Sequence, residues 1–267
     1  MRVLHLTDLH LSAGDDPGLD ADTGASMDRA LEAMRRIDPA PDFAVLSGDL
    51  TNRGDEGSYA LLAERLEGIG VPLILALGNH DKRPAFRAVF TGYPGGGEDP
   101  LDYDMVLAGH HVITLDTSEP GRTGGTLEDA QLEGLEATLA RHPELPKLLV
   151  LHHMPKLDPR RPADWTSLDA ATSDRLAALL APHEVTAILS GHVHANRVAL
   201  WHGIPVVITM GQHATIDPLE REALRIVPGT GLALCDLLPH GLSVTYIPLH
   251  PAETMRLIPR ERLQALR

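Results

Sequence analysis

Cysteine is almost absent from this chain of 267 residues: Cys235 is the only one. That excludes an intramolecular disulfide, a cysteine zinc site and an iron–sulfur cluster. Aromatic residues are scarce, 3% of the total, which disfavours the stacking platforms that hold single-stranded nucleic acid. There is no run of Lys and Arg, and 23 basic residues stand against 37 acidic ones, for a formal charge of −14. Such a field repels long polyanions and anionic membrane surfaces, so no nucleic acid polymer is expected as a partner. A small anion is still admitted, because bound metal ions can dominate the local field. No apolar run approaches the roughly 18–20 residues of a membrane-spanning helix. Residues 1–8 form a short apolar strand ending in Asp8, without a secretory signal. No membrane insertion and a cytoplasmic location are therefore expected.

What is present reads as an ordinary globular protein, 43% hydrophobic and 22% charged. Short apolar runs rich in β-branched residues fall at 3–7, 43–47, 73–77, 112–115, 148–151 and 187–190. Between them lie stretches of helical period. Met27, Leu31 and Met34 share one face, as do Tyr59, Leu62, Leu66 and Ile69, then Leu132, Leu135 and Leu139, and last Leu176, Leu179 and Leu180. Thr126, with Asp129 three residues on, is the expected cap of the third helix. This alternation predicts an α/β layered fold around a buried sheet. After residue 195 the runs at 197–201, 204–210, 232–237 and 243–248 follow one another without helices. They predict a second sheet packed on the first, its first two strands joined as a hairpin by His202-Gly203. No linker or repeat divides residues 1–267, so one domain is expected, with 94–100 as a mobile loop.

Ligands of open α/β sheets collect at the carboxyl ends of the strands. In this chain those ends carry Asp8-Leu9-His10, Gly48-Asp49, Gly78-Asn79-His80-Asp81, His152-His153 and Gly191-His192-Val193-His194. Independent turns have no reason to place imidazole and carboxylate at one sheet edge five times over. Asp8, His10, Asp49, Asn79, His152, His192 and His194 make seven oxygen or nitrogen ligands without a thiolate. That is too many for one transition metal and suits two sharing a carboxylate, drawn from Mn, Fe, Zn or Co. Two such ions clamp an in-line phosphoryl displacement and lower the pKa of the attacking water.

This ordered set resembles the calcineurin-like metallophosphoesterase superfamily from residue 1 to about 210. Gly48-Asp49-Leu50-Thr51-Asn52-Arg53-Gly54 and Leu115-Asp116-Thr117-Ser118 are similar to the bacterial class III cyclic nucleotide phosphodiesterases and their glycerophosphodiesterase relatives. The resemblance implies a four-layer α/β/β/α sandwich. It also implies a dinuclear-metal enzyme that hydrolyses a small phosphodiester, a 3′,5′-cyclic nucleotide or a glycerophosphodiester, by attack of a metal-activated hydroxide. By the same resemblance Asp8, His10, Asp49 and His194 bind one metal; Asp49, Asn79, His152 and His192 bind the other, with Asp49 bridging; and His80 assists at the phosphoryl or leaving oxygen. His153 then lies behind the metals or faces the substrate, and relatives are often homo-oligomers. A phosphomonoesterase, or a non-catalytic scaffold on the same fold, is the alternative.

Weaker candidates complete the set. His213 and Asn52 are expected to face the substrate, with Arg53 meeting phosphate or capping the next helix. His5 is expected as a satisfied core histidine, and His110 and His111 as solvated residues. The segment 211–231, with His213, Asp217, Arg221 and Arg225, is longer than a hairpin needs and is expected to be a lid or an oligomer contact.

Overall fold

The computed structural model describes residues 1–19, 21–158, 160, 165–220 and 222–249. The first half alternates: β1 (Arg2–Leu6), α1 (Thr23–Arg35), β2 (Phe43–Ser47), α2 (Glu56–Leu66), β3 (Leu73–Ala76) and α3 (Arg83–Val89). Next come β4 (Tyr103–Leu107), β5 (His110–Leu115), α4 (Asp129–Leu139), β6 (Lys147–Leu151), α5 (Ala170–Leu180) and β7 (Val185–Ser190). Strands then dominate: β8 (Arg197–Trp201), β9 (Ile204–Ile208), β10 (Thr215–Ile216), β11 (Ile226–Val227), β12 (Gly231–Leu238) and β13 (Gly241–Pro248).

Carboxylates start three of the helices. Asp22, Asp55 and Asp169 accept from the backbone N–H three residues on, at 2.9, 2.9 and 2.8 Å. This satisfies donors that the helix itself cannot. Helix α4 is capped by Glu128, whose N–H donates to Gln131 Oε1, and not by Thr126. The β8–β9 turn has both central residues at positive φ, His202 at 50° and Gly203 at 84°, the twist a two-residue hairpin requires.

The strands assemble into two mixed sheets, β13-β12-β1-β2-β3 and β4-β5-β6-β7-β9-β8. The C-terminal strands do not form a sheet of their own, as the sequence had suggested. Strands β8 and β9 extend the second sheet, whereas β12 and β13 return to pair antiparallel with β1. Period-2 alternation then sorts the core into three apolar layers. Val3, Phe43, Val45, Leu148, Val150 and Cys235 pack between the sheets. Leu4, Leu6 and Leu46 face Met27, Tyr59, Leu62 and Phe86 on the first outer side, and Leu149 and Leu151 face Leu132, Leu135 and Leu176 on the second. Helix, sheet, sheet, helix: the four-layer sandwich is formed.

Histidine placement differs in part from the sequence expectation. His5 lies between the sheets, its Nε2 2.8 Å from Ser47 Oγ and its Nδ1 3.1 Å from Thr209 Oγ1, a satisfied core residue as expected. His111 is not solvated but fully buried, because its Nε2 has Asp104 Oδ2 as a partner at 2.8 Å, while His110 is half-buried. The 94–100 loop is gathered by the Arg87 guanidinium, which donates to the carbonyls of Pro94, Gly97, Asp99 and Pro100. Within 211–231 the chain forms the small β10–β11 hairpin, outside both sheets; Arg221 lies outside the described residues.

Candidate metal centre

The parallel strands β1, β2 and β3 of one sheet and β6 and β7 of the other end at the same edge, and the loops leaving them meet there. Asp8 ties the sheets together: its carboxylate oxygens accept from the His192 N–H at 3.0–3.1 Å. Asp81 joins the loops after β2 and β3 by accepting from the N–H groups of Gly78, Leu50 and Thr51 and from Tyr59 Oη, at 2.8–3.1 Å. That bond set carries Asn79 and His80 to Asp49, whose Oδ1 accepts from the His80 N–H at 2.8 Å. Gly78 and Gly191 are required by close approach. A Cβ at Gly78 would collide with Asp49 and His152, and one at Gly191 with Thr7 and Asp8.

Backbone strain concentrates at this edge. Among the described residues, seven non-glycine residues have positive φ, and five of them are Asp8, His10, Asp49, His192 and His194, at 44–73°. Left-handed conformations cost non-glycine residues about 1–3 kcal/mol each and persist where the surroundings over-determine them, most often at functional sites.

The imidazoles are aimed by their outer nitrogens. His152 Nδ1 bonds the Ser47 carbonyl at 2.8 Å, His194 Nδ1 the Ala214 carbonyl at 3.1 Å, and His80 Nδ1 the Asn52 carbonyl at 2.9 Å. His10 Nδ1 bonds Asn52 Oδ1 at 3.1 Å, and His192 Nε2 bonds the Trp165 carbonyl at 2.6 Å. A carbonyl oxygen can only accept, so each outer nitrogen carries the hydrogen, and in the neutral ring the other nitrogen keeps its lone pair, the geometry used to orient metal-binding histidines.

The inner nitrogens converge on two buried carboxylates. His194 Nε2 is 3.2 Å from both Asp8 Oδ1 and His10 Nε2; His152 Nε2 is 3.3 Å from Asp49 Oδ2, and His10 Nε2 is 3.7 Å from the same oxygen. Asn79 Oδ1 and His152 Nε2 are buried without a hydrogen-bond partner. Buried polar atoms without partners are costly, and here they are donors of the kind that fit a metal cation. Nitrogen and oxygen donors around two carboxylates fit divalent or trivalent transition metals.

The electrostatics are consistent with that fit. Burial opposes charge on Asp49, but His152, His10 and His80 outweigh it and hold the carboxyl well below its usual range. Asp8 is buried too and is held ionised by His194 and His152. Burial pushes His10 and His192 down to about 4, leaving them neutral at pH 7. His152 is desolvated as well, yet Asp49 beside it raises it to about 9.

All seven sequence-derived ligand candidates therefore meet at one edge, with His80 beside them, its ring 4.6 Å from that of His10. His213 joins them, 5.4 Å from the His10 ring, and lines the cavity above the cluster. Two expectations shift. His153 does not face the cavity: it is fully buried, its Nδ1 2.8 Å from Thr117 Oγ1 and its Nε2 2.9 Å from the Thr123 carbonyl. Asn52 lines the cavity, but its amide is spent on His10 and, at 2.6 Å, on Asp16 Oδ2. Arg53 is engaged with the same Asp16. Sequence reasoning missed Asp16 and the parts played by Asp81, Thr117, Thr123 and the Trp165 carbonyl. Of these, Asp81, inside Gly78-Asn79-His80-Asp81, and Thr117, inside Leu115-Asp116-Thr117-Ser118, had a local signal.

Comparison with known proteins agrees with this arrangement. Residues 1–196 match the calcineurin-like phosphoesterase family. A probable cyclic nucleotide phosphodiesterase of Rhodococcus erythropolis is 33% identical over 219 residues, 80% of this chain and 72% of that protein. A probable glycerophosphodiester phosphodiesterase of Arcobacter nitrofigilis is 29% identical over 229 residues, 84% and 83% of the two chains. The solved dimetal phosphatase of Danio rerio shares the fold at a TM-score of 0.64 and 15% identity, over 94% of this chain and 99% of its own. With its strand-end motifs gathered at one edge and its first 196 residues matched, the chain belongs to the calcineurin-like phosphoesterase family.

Proposed function

We propose that this protein hydrolyses a small phosphodiester at a dinuclear metal centre, with a 3′,5′-cyclic nucleotide as the leading substrate. The observation that carries the reading is the set of inner imidazole nitrogens turned onto Asp8 and Asp49, with Asn79 Oδ1 buried and unpartnered among them. Asp8, His10, Asp49 and His194 would hold one ion; Asp49, Asn79, His152 and His192 would hold the second, His192 through Nδ1 because its Nε2 is bonded to Trp165. Bound there, two transition metals would supply a clamp on the attacking and leaving oxygens and a more acidic attacking water.

The chain's own residues do the rest. His80 is exposed to the cavity and fixed through Nδ1 on the Asn52 carbonyl, so Nε2 is the ring nitrogen that can pass a proton to the leaving oxygen. His213 stands on the substrate side. His153 and Asn52 act as positioning residues, one packed at 4.4–4.9 Å against the rings of His152 and His192, the other holding His10. The glycerophosphodiesterase-named relative supports a glycerophosphodiester as the second reading.

Elemental analysis and turnover of bis-(p-nitrophenyl) phosphate test the centre, and a panel of cyclic AMP, 2′,3′-cyclic AMP and glycerophosphocholine tests the substrate. Two metals per chain with chelator-sensitive hydrolysis is the expected result. Two metals bound without turnover of any diester would favour the scaffold instead.

A further inference from the structure

The β10–β11 hairpin belongs to neither sheet, yet it is fastened to the metal centre. Ala214 accepts from His194, and Thr215 Oγ1 donates to the His194 carbonyl at 2.6 Å. Its far end is closed by Asp217, which pairs with Arg225 at 2.9 Å through both backbone and side chain. Three of its apolar residues, Ile216, Leu224 and Ile226, line the cavity above the cluster, and Leu224 and Ile226 are 55% and 58% exposed. Trp165 lines the same cavity, 41% exposed, its indole 5.4 Å from the His192 ring.

Leaving large apolar side chains in water is unfavourable, and gathered around a polar cluster they mark a ligand wall. Among the described residues that line this cavity, Asp49 is the only carboxylate and none is Lys or Arg. An ethanolamine ammonium would ask for carboxylate partners, and beyond Asp49 at the metal cluster the described lining offers none. A quaternary ammonium is best held by several aromatic faces, and one indole is present. A flat, weakly polar ring fits what is there.

We infer that Trp165 and the hairpin residues Ile216, Leu224 and Ile226 form the wall that takes the base of a nucleotide diester, and so select nucleotides over glycerophosphodiesters. This rests on the phosphodiesterase reading above for what the phosphate meets. Base recognition then comes from contact area and stacking more than from hydrogen bonds, and discrimination among bases is weak.

The test uses the full chain loaded with metal. In the Leu224→Ser/Ile226→Ser variant, and separately in Trp165→Ala, the ratio of kcat/KM for cyclic AMP to that for glycerophosphoethanolamine should fall about 10-fold, mainly through KM, the size that losing a stacking partner carries. Binding is read independently from intrinsic fluorescence, since Trp201 is buried at 5% exposure and Trp165 is the open tryptophan. AMP should quench it saturably, and the hairpin variant should weaken that binding. If diesters are hydrolysed but the ratio is unmoved, or only the oligomeric state changes, the base wall is wrong and the phosphodiesterase reading stands. If no diester is hydrolysed, that reading fails, and the wall stands on a saturable AMP quench weakened by the variant or falls without one.

Discussion

Asn52 offers the sharpest test of how the centre is held together. Its Oδ1 accepts from His10 Nδ1 at 3.1 Å, and its Nδ2 donates to Asp16 Oδ2 at 2.6 Å, while Asp16 also receives Arg53 at 2.6 and 2.8 Å. Asn52→Leu keeps the volume and removes both bonds. The His10 ring then loses the acceptor that selects its tautomer, and Nε2 no longer presents its lone pair to Asp49 by default. Losing an outer partner of a metal-binding histidine costs about 10–100-fold in metal affinity, which corresponds to roughly 1.4–3 kcal/mol. Competition against a chromogenic chelator should show that loss at one of two sites, with kcat at saturating metal much less affected. Asn52→Asp should be as poor, because it sets a carboxylate against Asp16 where the amide stood. Adding Asp16→Asn restores the donor between positions 16 and 52, so that the carboxylate at 52 is again held in place to accept from His10, and should recover part of the affinity. Wild-type affinity at both sites in Asn52→Leu would refute the orienting role, and absence of rescue in the swapped pair would refute the Asp16–Asn52–His10 relay.

Asp49→Ala should be the most damaging ligand change, with elemental analysis showing loss of both metals; near-normal metal content and turnover would remove Asp49 from the bridging position. His80→Ala should keep the metals and lower kcat by about 10²–10⁴-fold, more for an alkyl diester than for a nitrophenyl diester, whose leaving group needs less protonation. Equal losses on both would assign His80 to the phosphoryl oxygens instead. His5 makes a pH prediction: burial lowers its pKa from the ordinary value to about 3, so the fold keeps it neutral. Its contribution is complete above the unfolded value near 6.5 and is lost as pH falls toward 3, about 2 kcal/mol between pH 7 and pH 5. Urea unfolding with chelator present should show the wild type and His5→Asn converging by that amount across the interval; parallel curves would mean that His5 titrates freely in the fold.

Continuous apolar runs and period-3.6 patterns were strong enough in sequence to locate most elements, because central strands such as β2 and β6 bury both faces and each helix buries one. Phe43–Ser47 and Arg197–Trp201 were predicted to the residue. Helix α3 escaped because seven residues opening on Arg83-Pro84 show too little period to register, and β4 because it is an edge strand whose burial does not alternate. Sheet membership was beyond the sequence, since β12 finds its partner β1 some 230 residues away, and nothing local records that choice.

The same division runs through the site. Chain order alone determined which residue types reach the sheet edge, because parallel strands deliver their carboxyl ends to one side, and Asp8, His10, Asp49, Asn79, His152, His192 and His194 all follow such ends. Which nitrogen each imidazole turns inward was decided only in three dimensions, by carbonyls that Ser47, Asn52, Trp165 and Ala214 bring from elsewhere in the chain. His152 and His153 are adjacent and chemically identical in sequence. Folding sends one ring to Asp49 and seals the other between Thr117 and Thr123, because successive side chains leave the backbone in different directions and only one of them can meet the carboxylates.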